Sequence, residues 1–199
     1  MKFFTTIALL AAAATQCAAH PTIDEALDNL VKRGGASRDW LELATVDLSK
    51  TPQDANSPIV GKVTFLQFHP KAPVYVTGVI KGLDPNTKRG LHVHTTSNFT
   101  EGCMSTGTHF NPFNKKHGAR KDVERHVGDL GNIVTDETGT ARFFFKDRLL
   151  SLVGENKITS RSLVLHSGTD DLGRGGFEDS LTTGHAGGRF ACGKIVPVE

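Results

Sequence analysis

The 199-residue chain has only three cysteines and almost no excess of either charge, with 23 Lys and Arg against 21 Asp and Glu for a formal net charge of +2. So even a balance gives no reason to propose a nucleic-acid partner, which calls for a strong positive field. Apolar runs are scarce too: one follows Lys2 and extends through Ala14, too short to span a bilayer, and no second follows. Aromatic residues make up 7% of the chain against 21 glycines, a balance that suits a loop-rich β protein. No repeat or low-complexity segment stands out. The length fits one domain of about 150–165 residues plus processing segments.

Those segments are at the start. Met1-Lys2-Phe3-Phe4, the apolar run and the small residues of Cys17-Ala18-Ala19 read as a secretory signal over 1–19. Ile23, Ala26, Leu27, Leu30 and Val31 then fall at helical spacing before Lys32-Arg33. A dibasic pair so placed predicts a propeptide over 20–33, leaving 34–199 as the mature domain with its core at about 41–196. Cys17 leaves with the signal, and Cys103 and Cys192 remain as an even pair for an oxidising, extracellular compartment, with cell-wall or cell-surface attachment left open.

Leu41 to Leu48, Val60 to Phe68, Val74 to Lys81, Leu91 to Thr95, Ala141 to Lys146 and Ser162 to His166 read as strands. Asp136-Glu137-Thr138-Gly139 reads as a hairpin turn, and Lys81 to Asn86 as a second tight connection. Short strands at near-regular spacing predict an all-β sandwich or barrel. Two long irregular stretches, Thr96 to Val127 and Ser167 to Gly188, interrupt them, and loops of that size are uncommon without a task.

The histidines supply the task. His92 and His94 lie two apart in an alternating run, so both rings leave one strand face. His109, His117 and His126 follow at intervals of eight or nine residues, Asp129 comes three after His126, and His166 ends another β-like run. No thiolate sits in this set, which rules out an iron–sulfur cluster or a structural zinc finger. Imidazole suits copper, zinc, iron and nickel: four nitrogens favour tetragonal Cu(II), and three nitrogens with a carboxylate suit tetrahedral zinc. Seven ligands fill two four-coordinate sites only if one is shared, and a fully deprotonated imidazole has two nitrogens to share.

Gly90-Leu91-His92-Val93-His94 and Gly184-His185-Ala186-Gly187-Gly188-Arg189-Phe190-Ala191-Cys192 closely resemble the two diagnostic stretches of copper/zinc superoxide dismutases. The stretches 109–114, 126–132 and 170–173 are similar to that family as well, so the resemblance runs from about Leu41 to Val196. It implies a Greek-key barrel of about eight strands with a zinc and disulfide loop and an active-site channel loop. It also implies copper on His92, His94, His109 and His166, and zinc on His109, His117, His126 and Asp129, with His109 bridging. It further implies a Cys103–Cys192 disulfide, Asp170 linking His92 to His117, and Arg189 attracting the superoxide anion. The implied reaction turns superoxide into dioxygen and hydrogen peroxide.

The remaining histidines are bland: His20 belongs to the propeptide, His69 to a strand end, and His185 to the channel loop where relatives usually carry asparagine. Thr182 stands where many relatives carry a steering lysine beside the acidic pair Glu178-Asp179. Thr96, Thr159 and Lys194 replace apolar groups at the family's dimer surface, and Asn98-Phe99-Thr100 is a glycosylation acceptor. Together they predict a monomer or a weak, atypical homodimer. The rival readings are a non-catalytic secreted copper-binding protein on the same fold and a copper chaperone. Storage needs neither Arg189 nor a bridged site, and the chain has no cysteines for a chaperone's extra domain.

Overall fold

The computed structural model describes residues 41–48 and 59–198. The expected signal peptide and propeptide, with Cys17, His20 and the Lys32-Arg33 pair, lie outside the described residues. Among the described residues nine strands form: β1 (Glu42–Asp47), β2 (Val60–Gln67), β3 (Val74–Lys81), β4 (Lys88–His94), β5 (Asp129–Val134), β6 (Ala141–Asp147), β7 (Ser162–His166), β8 (Arg189–Lys194) and β9 (Val196–Pro197). Helix among the described residues is limited to a 3₁₀ turn over Gly102–Thr106 and one turn of α-helix, α1 (Ser180–Thr183).

The strands divide into two antiparallel sheets ordered β6-β3-β2-β1-β9 and β5-β4-β7-β8. β4, β5 and β6 run consecutively and β7 returns beside β4, which is the Greek-key path. The Asp136–Gly139 turn forms where expected, with the Gly139 amide donating to the Asp136 carbonyl (3.1 Å) and Gly139 at φ +74. The strands it joins belong to different sheets, so this hairpin turns a corner of the barrel.

Period-2 alternation explains the core. On β3 the side facing the core carries Val74, Val76 and Ile80, all buried, while intervening residues are partly exposed. β4 sends Leu91 and Val93 into the same core cluster as Leu163 and Leu165 of β7. Its alternate residues, His92 and His94, leave the opposite face, yet both are buried. All five residues of β7 are buried, and Val164 packs beside Cys103 and Cys192 in a cluster separate from the core. Both faces of the four-stranded sheet are therefore covered: one by the other sheet, the other by the two long loops. The functional side chains sit in that outer layer.

β5 was missed in the sequence. Gly131, at φ +74, and Asn132 interrupt its pattern, and its pairing with β4 shifts register between Gly90 and His92. A second shift falls between Leu165 and His166 on β7. Such irregularities re-aim side chains, and here both adjoin a buried histidine.

Candidate metal centre

Three chain segments are fastened by their main chains at the base of the site. The Val93 amide donates to the Gly128 carbonyl (2.9 Å), the Phe110 amide to the Val93 carbonyl (2.8 Å), and the Gly128 amide to the Phe110 carbonyl (2.9 Å). A Cβ on Gly128 would stand 2.2 Å from the Val93 oxygen, so only glycine closes this clasp. From it project His92 and His94 on one segment, His109 on the second, and His126 and Asp129 on the third.

Two groups result. In the first, one nitrogen each of His92, His94, His109 and His166 converges within 4.8 Å; in the second, His109, His117, His126 and Asp129 do the same. All seven residues are buried. In the second group Asp129 Oδ1 lies 2.9 Å from His109 Nδ1, 3.0 Å from His117 Nδ1 and 3.0 Å from His126 Nδ1. A tetrahedron with bonds of about 2.0 Å has edges of about 3.3 Å, which matches this spacing. In the first group His94 Nε2 and His166 Nε2 are 3.3 Å apart.

The outward nitrogens are tied down. His94 Nδ1–H donates to the Gly107 carbonyl (2.9 Å) and His166 Nδ1–H to the Gly187 carbonyl (3.2 Å). Asp170 accepts from His92 Nε2–H on one oxygen (2.9 Å) and from His117 Nε2–H on the other (2.8 Å), so it joins the two groups. These bonds set each tautomer and leave the inward nitrogen as the donor atom. His109 differs: its Nδ1 faces Asp129 and its Nε2 faces the first group. His92 Nδ1, His109 Nε2 and His117 Nδ1 are buried without a hydrogen-bond partner. Buried polar atoms are rarely left so, and three orphan lone pairs converging on two points fit two cations.

The electrostatics agree. Burial, with His109 next, depresses His92 and His94 far below the ordinary imidazole value; burial also lowers His109, and lowers His166 to about 4. Neutral rings are the form a metal binds. Burial alone would depress His117, yet the carboxylates of Asp129 and Asp170, one beside each of its nitrogens, outweigh that and raise it to about 9. Burial would likewise raise both carboxyls, but their histidine partners hold Asp129 and Asp170 well below the usual carboxylate range. The second group thus selects positive charge, as a carboxylate among imidazoles should.

Arg189, at the start of β8, donates from Nη1 to the carbonyls of Cys103 (2.8 Å) and Met104 (2.9 Å) and to Thr106 Oγ1 (3.0 Å), and from Nη2 to the Gly107 carbonyl (2.7 Å). Its charge reaches the first group, where it helps to depress His94 and His166. Cys103 and Cys192 form a disulfide with a Cα–Cα distance of 5.7 Å, stapling the loop that carries those carbonyls to the strand that carries Arg189.

Several supporting residues carried no assigned role in the sequence. Asn132 brackets Asp170, donating to its carbonyl and accepting from its amide (both 2.8 Å). A Cβ on Gly184 would meet Asp170 Oδ1 at 2.2 Å and His117 Nε2 at 2.4 Å. Arg125, buried, pairs with Asp147 (2.8 Å) and donates to the Asp129 carbonyl. Asn132 and Gly184 lie inside the family-like stretches; Arg125 had no signal beyond its place beside His126. Of the bland histidines, His185 is exposed, stacked on Phe177 at 3.8 Å and bonded to Asp179 (2.7 Å), and His69 lies in the turn after β2.

A Greek-key barrel carrying two ligand groups that share one imidazole defines a dinuclear metalloprotein. Residues 59–195 match the family described as copper/zinc superoxide dismutase (SODC). Proteins named Superoxide dismutase [Cu-Zn] are similar: one from Yarrowia lipolytica is 56% identical over 140 residues, covering 70% of this chain and 91% of the relative. One from Cryptococcus neoformans var. grubii is 55% identical over 139 residues (70% and 90%), and one from Candida albicans 54% over 140 (70% and 91%). The chain belongs to the copper/zinc superoxide dismutase family. It is accordingly a copper- and zinc-dependent oxidoreductase acting on superoxide.

Proposed function

We propose that this chain is a secreted superoxide dismutase whose two ligand groups divide the metals as the family resemblance implies. His92, His94, His109 and His166 would hold copper; His109, His117, His126 and Asp129 would hold zinc. Copper, when bound, supplies the one-electron couple that takes an electron from one superoxide and gives it to the next, while zinc supplies fixed positive charge. Two superoxides and two protons give dioxygen and hydrogen peroxide.

The chain's own residues do the rest. Arg189 draws the anion in and orients it; its charge persists at any working pH, and its fork has a donor left beyond the four bonds that anchor it. His109 holds a proton at Nε2 and delivers it to the reduced oxygen, its ring kept in place through Nδ1. Asp170 holds the rings of His92 and His117 in the tautomer that points Nδ1 inward. The single observation that carries this reading is that His109 presents one nitrogen to each group. A storage protein would need neither that ring nor an arginine braced at the first group.

Secretion rests on the N-terminal reading over 1–19 and 20–33, and the paired cysteines support it. Among the described residues no helix is long and apolar enough to cross a membrane. Asn98 is exposed, as a glycan acceptor must be. Thr96 and Lys194 are also exposed, and burying an unpartnered Lys194 in a dimer would be costly. A monomer or weak homodimer follows. N-terminal sequencing and light scattering of the secreted protein test these points, and a tight sub-micromolar dimer would overturn the last. For the centre itself, His109→Ala should abolish most dismutation and alter the Cu(II) EPR spectrum; an active variant with an unchanged spectrum would refute the bridge.

A further inference from the structure

A second polar site lies beside the zinc-side group. A cleft of about 560 Å³ is lined by Lys115, Arg120, Lys121, Asp122, Val123, Arg125, Phe145, Lys146, Asp147, Arg148 and Leu149. Six of these are cations and two are carboxylates, a formal +4 that exceeds the +2 of the whole chain. Positive charge is therefore gathered here at the expense of the remaining surface. Both carboxylates are already engaged: Asp122 by Arg174 (2.8 and 3.0 Å), and Asp147 by Arg125 and by the amides of Leu149 and Leu150. They offset the cations less than their formal charge suggests.

The chemistry of the cleft narrows its ligand. Arg125, 1% exposed, has an Nε without an acceptor, and Asp147, 2% exposed, has an Oδ2 without a donor. A ligand that meets both must offer an acceptor and a proton. Dihydrogen phosphate and phosphomonoester monoanions do, since each keeps a proton until its second ionisation, near pH 6 for an ester; sulfate and phosphodiesters carry acceptors alone. The Arg120 guanidinium sits 4.0 Å over the Phe145 ring, so that ring is not free as a base-stacking platform of the kind single-stranded nucleic acid uses. The volume suits a small molecule rather than a polymer track.

We propose that this cleft binds a phosphate monoanion, either as the free ion or as a phosphomonoester on a small body such as a sugar. Arg120, Lys121, Lys146 and Arg148 supply the attraction, and Arg125 with Asp147 supply the donor and acceptor at the buried end. Arg125 also donates to the carbonyl of Asp129, a member of the zinc-side group. Binding is thereby connected to that group through one side chain.

The test follows backbone amide shifts of the reduced, copper- and zinc-loaded enzyme on titration with inorganic phosphate, a hexose monophosphate, sulfate and a short DNA duplex. Saturable shifts should appear over 115–125 and 145–149. Sulfate should bind at least roughly threefold more weakly, because it cannot supply the proton. Arg120→Glu with Arg148→Glu should weaken phosphate at least roughly tenfold through reversed charge. Arg148→Gln, an exposed residue outside the Arg120–Phe145 stack, should weaken it less without disturbing the fold. Lys62→Glu, on the exposed face of β2, should leave it unchanged. Tighter binding of the hexose phosphate assigns an ester, and tighter binding of phosphate assigns the free ion. Shifts confined to the surroundings of Arg189, equal binding by the double variant, sulfate as tight as phosphate, or a preference for the duplex would each overturn the proposal.

Discussion

Replacing Asp170 by Asn tests whether one carboxylate sets the ligating state of both groups. The native side chain, 2% exposed, accepts from His92 and His117 and from the Leu172 amide (2.7 Å). Asparagine keeps the shape but offers one acceptor and one donor. Its oxygen can serve one histidine; its NH₂ then faces the other, which must turn its Nε2 into an acceptor and carry its proton on Nδ1. That is the nitrogen facing the metal, so one ligand of the two is disabled. The lost bond is charge-assisted and worth about 1.5–3 kcal/mol, which corresponds to roughly a 10–100-fold loss of affinity for one metal. Asp170→Ala frees both rings and should weaken both metals. Chelator competition with metal analysis measures each affinity, and the Cu(II) EPR spectrum reports the first group directly. Both variants binding both metals within about twofold of the parent, with the parent spectrum, would show that Asp170 is only a loop anchor.

Three further outcomes are expected. Replacing Cys103 and Cys192 by Ser removes a crosslink spanning 89 residues, worth about 4.6 kcal/mol by chain entropy, and should lower Tm. The same variant should lose kcat/KM per bound copper, because three of the four acceptors that brace Arg189 lie on the released stretch 103–106; unchanged kcat/KM per copper would separate the staple from the arginine. Arg189→Ile should reduce kcat/KM severely and flatten its dependence on ionic strength, whereas Arg189→Lys keeps the charge, loses the fork and falls between; stopped-flow dismutation at two salt concentrations checks both. Gly184→Ala combines φ +67 with a Cβ 2.2 Å from Asp170 Oδ1, and denaturant titration should show a loss of at least about 1–2 kcal/mol with weaker metal binding.

Local pattern carried much of this structure. β3 and β7 begin and end where the alternation of Val, Ile and Leu placed them, and the paired His92 and His94 followed from a period of two. β5 escaped because Leu130 and Gly131 form the irregular stretch opposite Leu91, and a glycine followed by Asn132 does not read as a strand pattern. The Greek-key return of β7 to β4 is a long-range choice that no local window contains. Asp170 is 78 residues from His92 and 53 from His117, so its link between them was available only through resemblance. Arg125 and Asp147 pair across 22 residues inside the fold, where an arginine in a polar stretch reads simply as surface.

The clasp among Val93, Phe110 and Gly128 has a consequence for how such centres vary. It is built from peptide groups, which every residue except proline supplies, so the segments between its three points act as tethers that must present a few fixed side chains, His117 and Cys103 among them, while the residues between those are free. The intervals separating His109, His117 and His126, the most conspicuous regularity in the chain, are then the least constrained part of the design: a tether can lengthen or shorten while its ends remain fastened. Gly128 has no such freedom. Anyone seeking this kind of centre in unfamiliar chains, or grafting it onto another barrel, would do better to match a glycine against the residue between two paired histidines than to count residues between ligands.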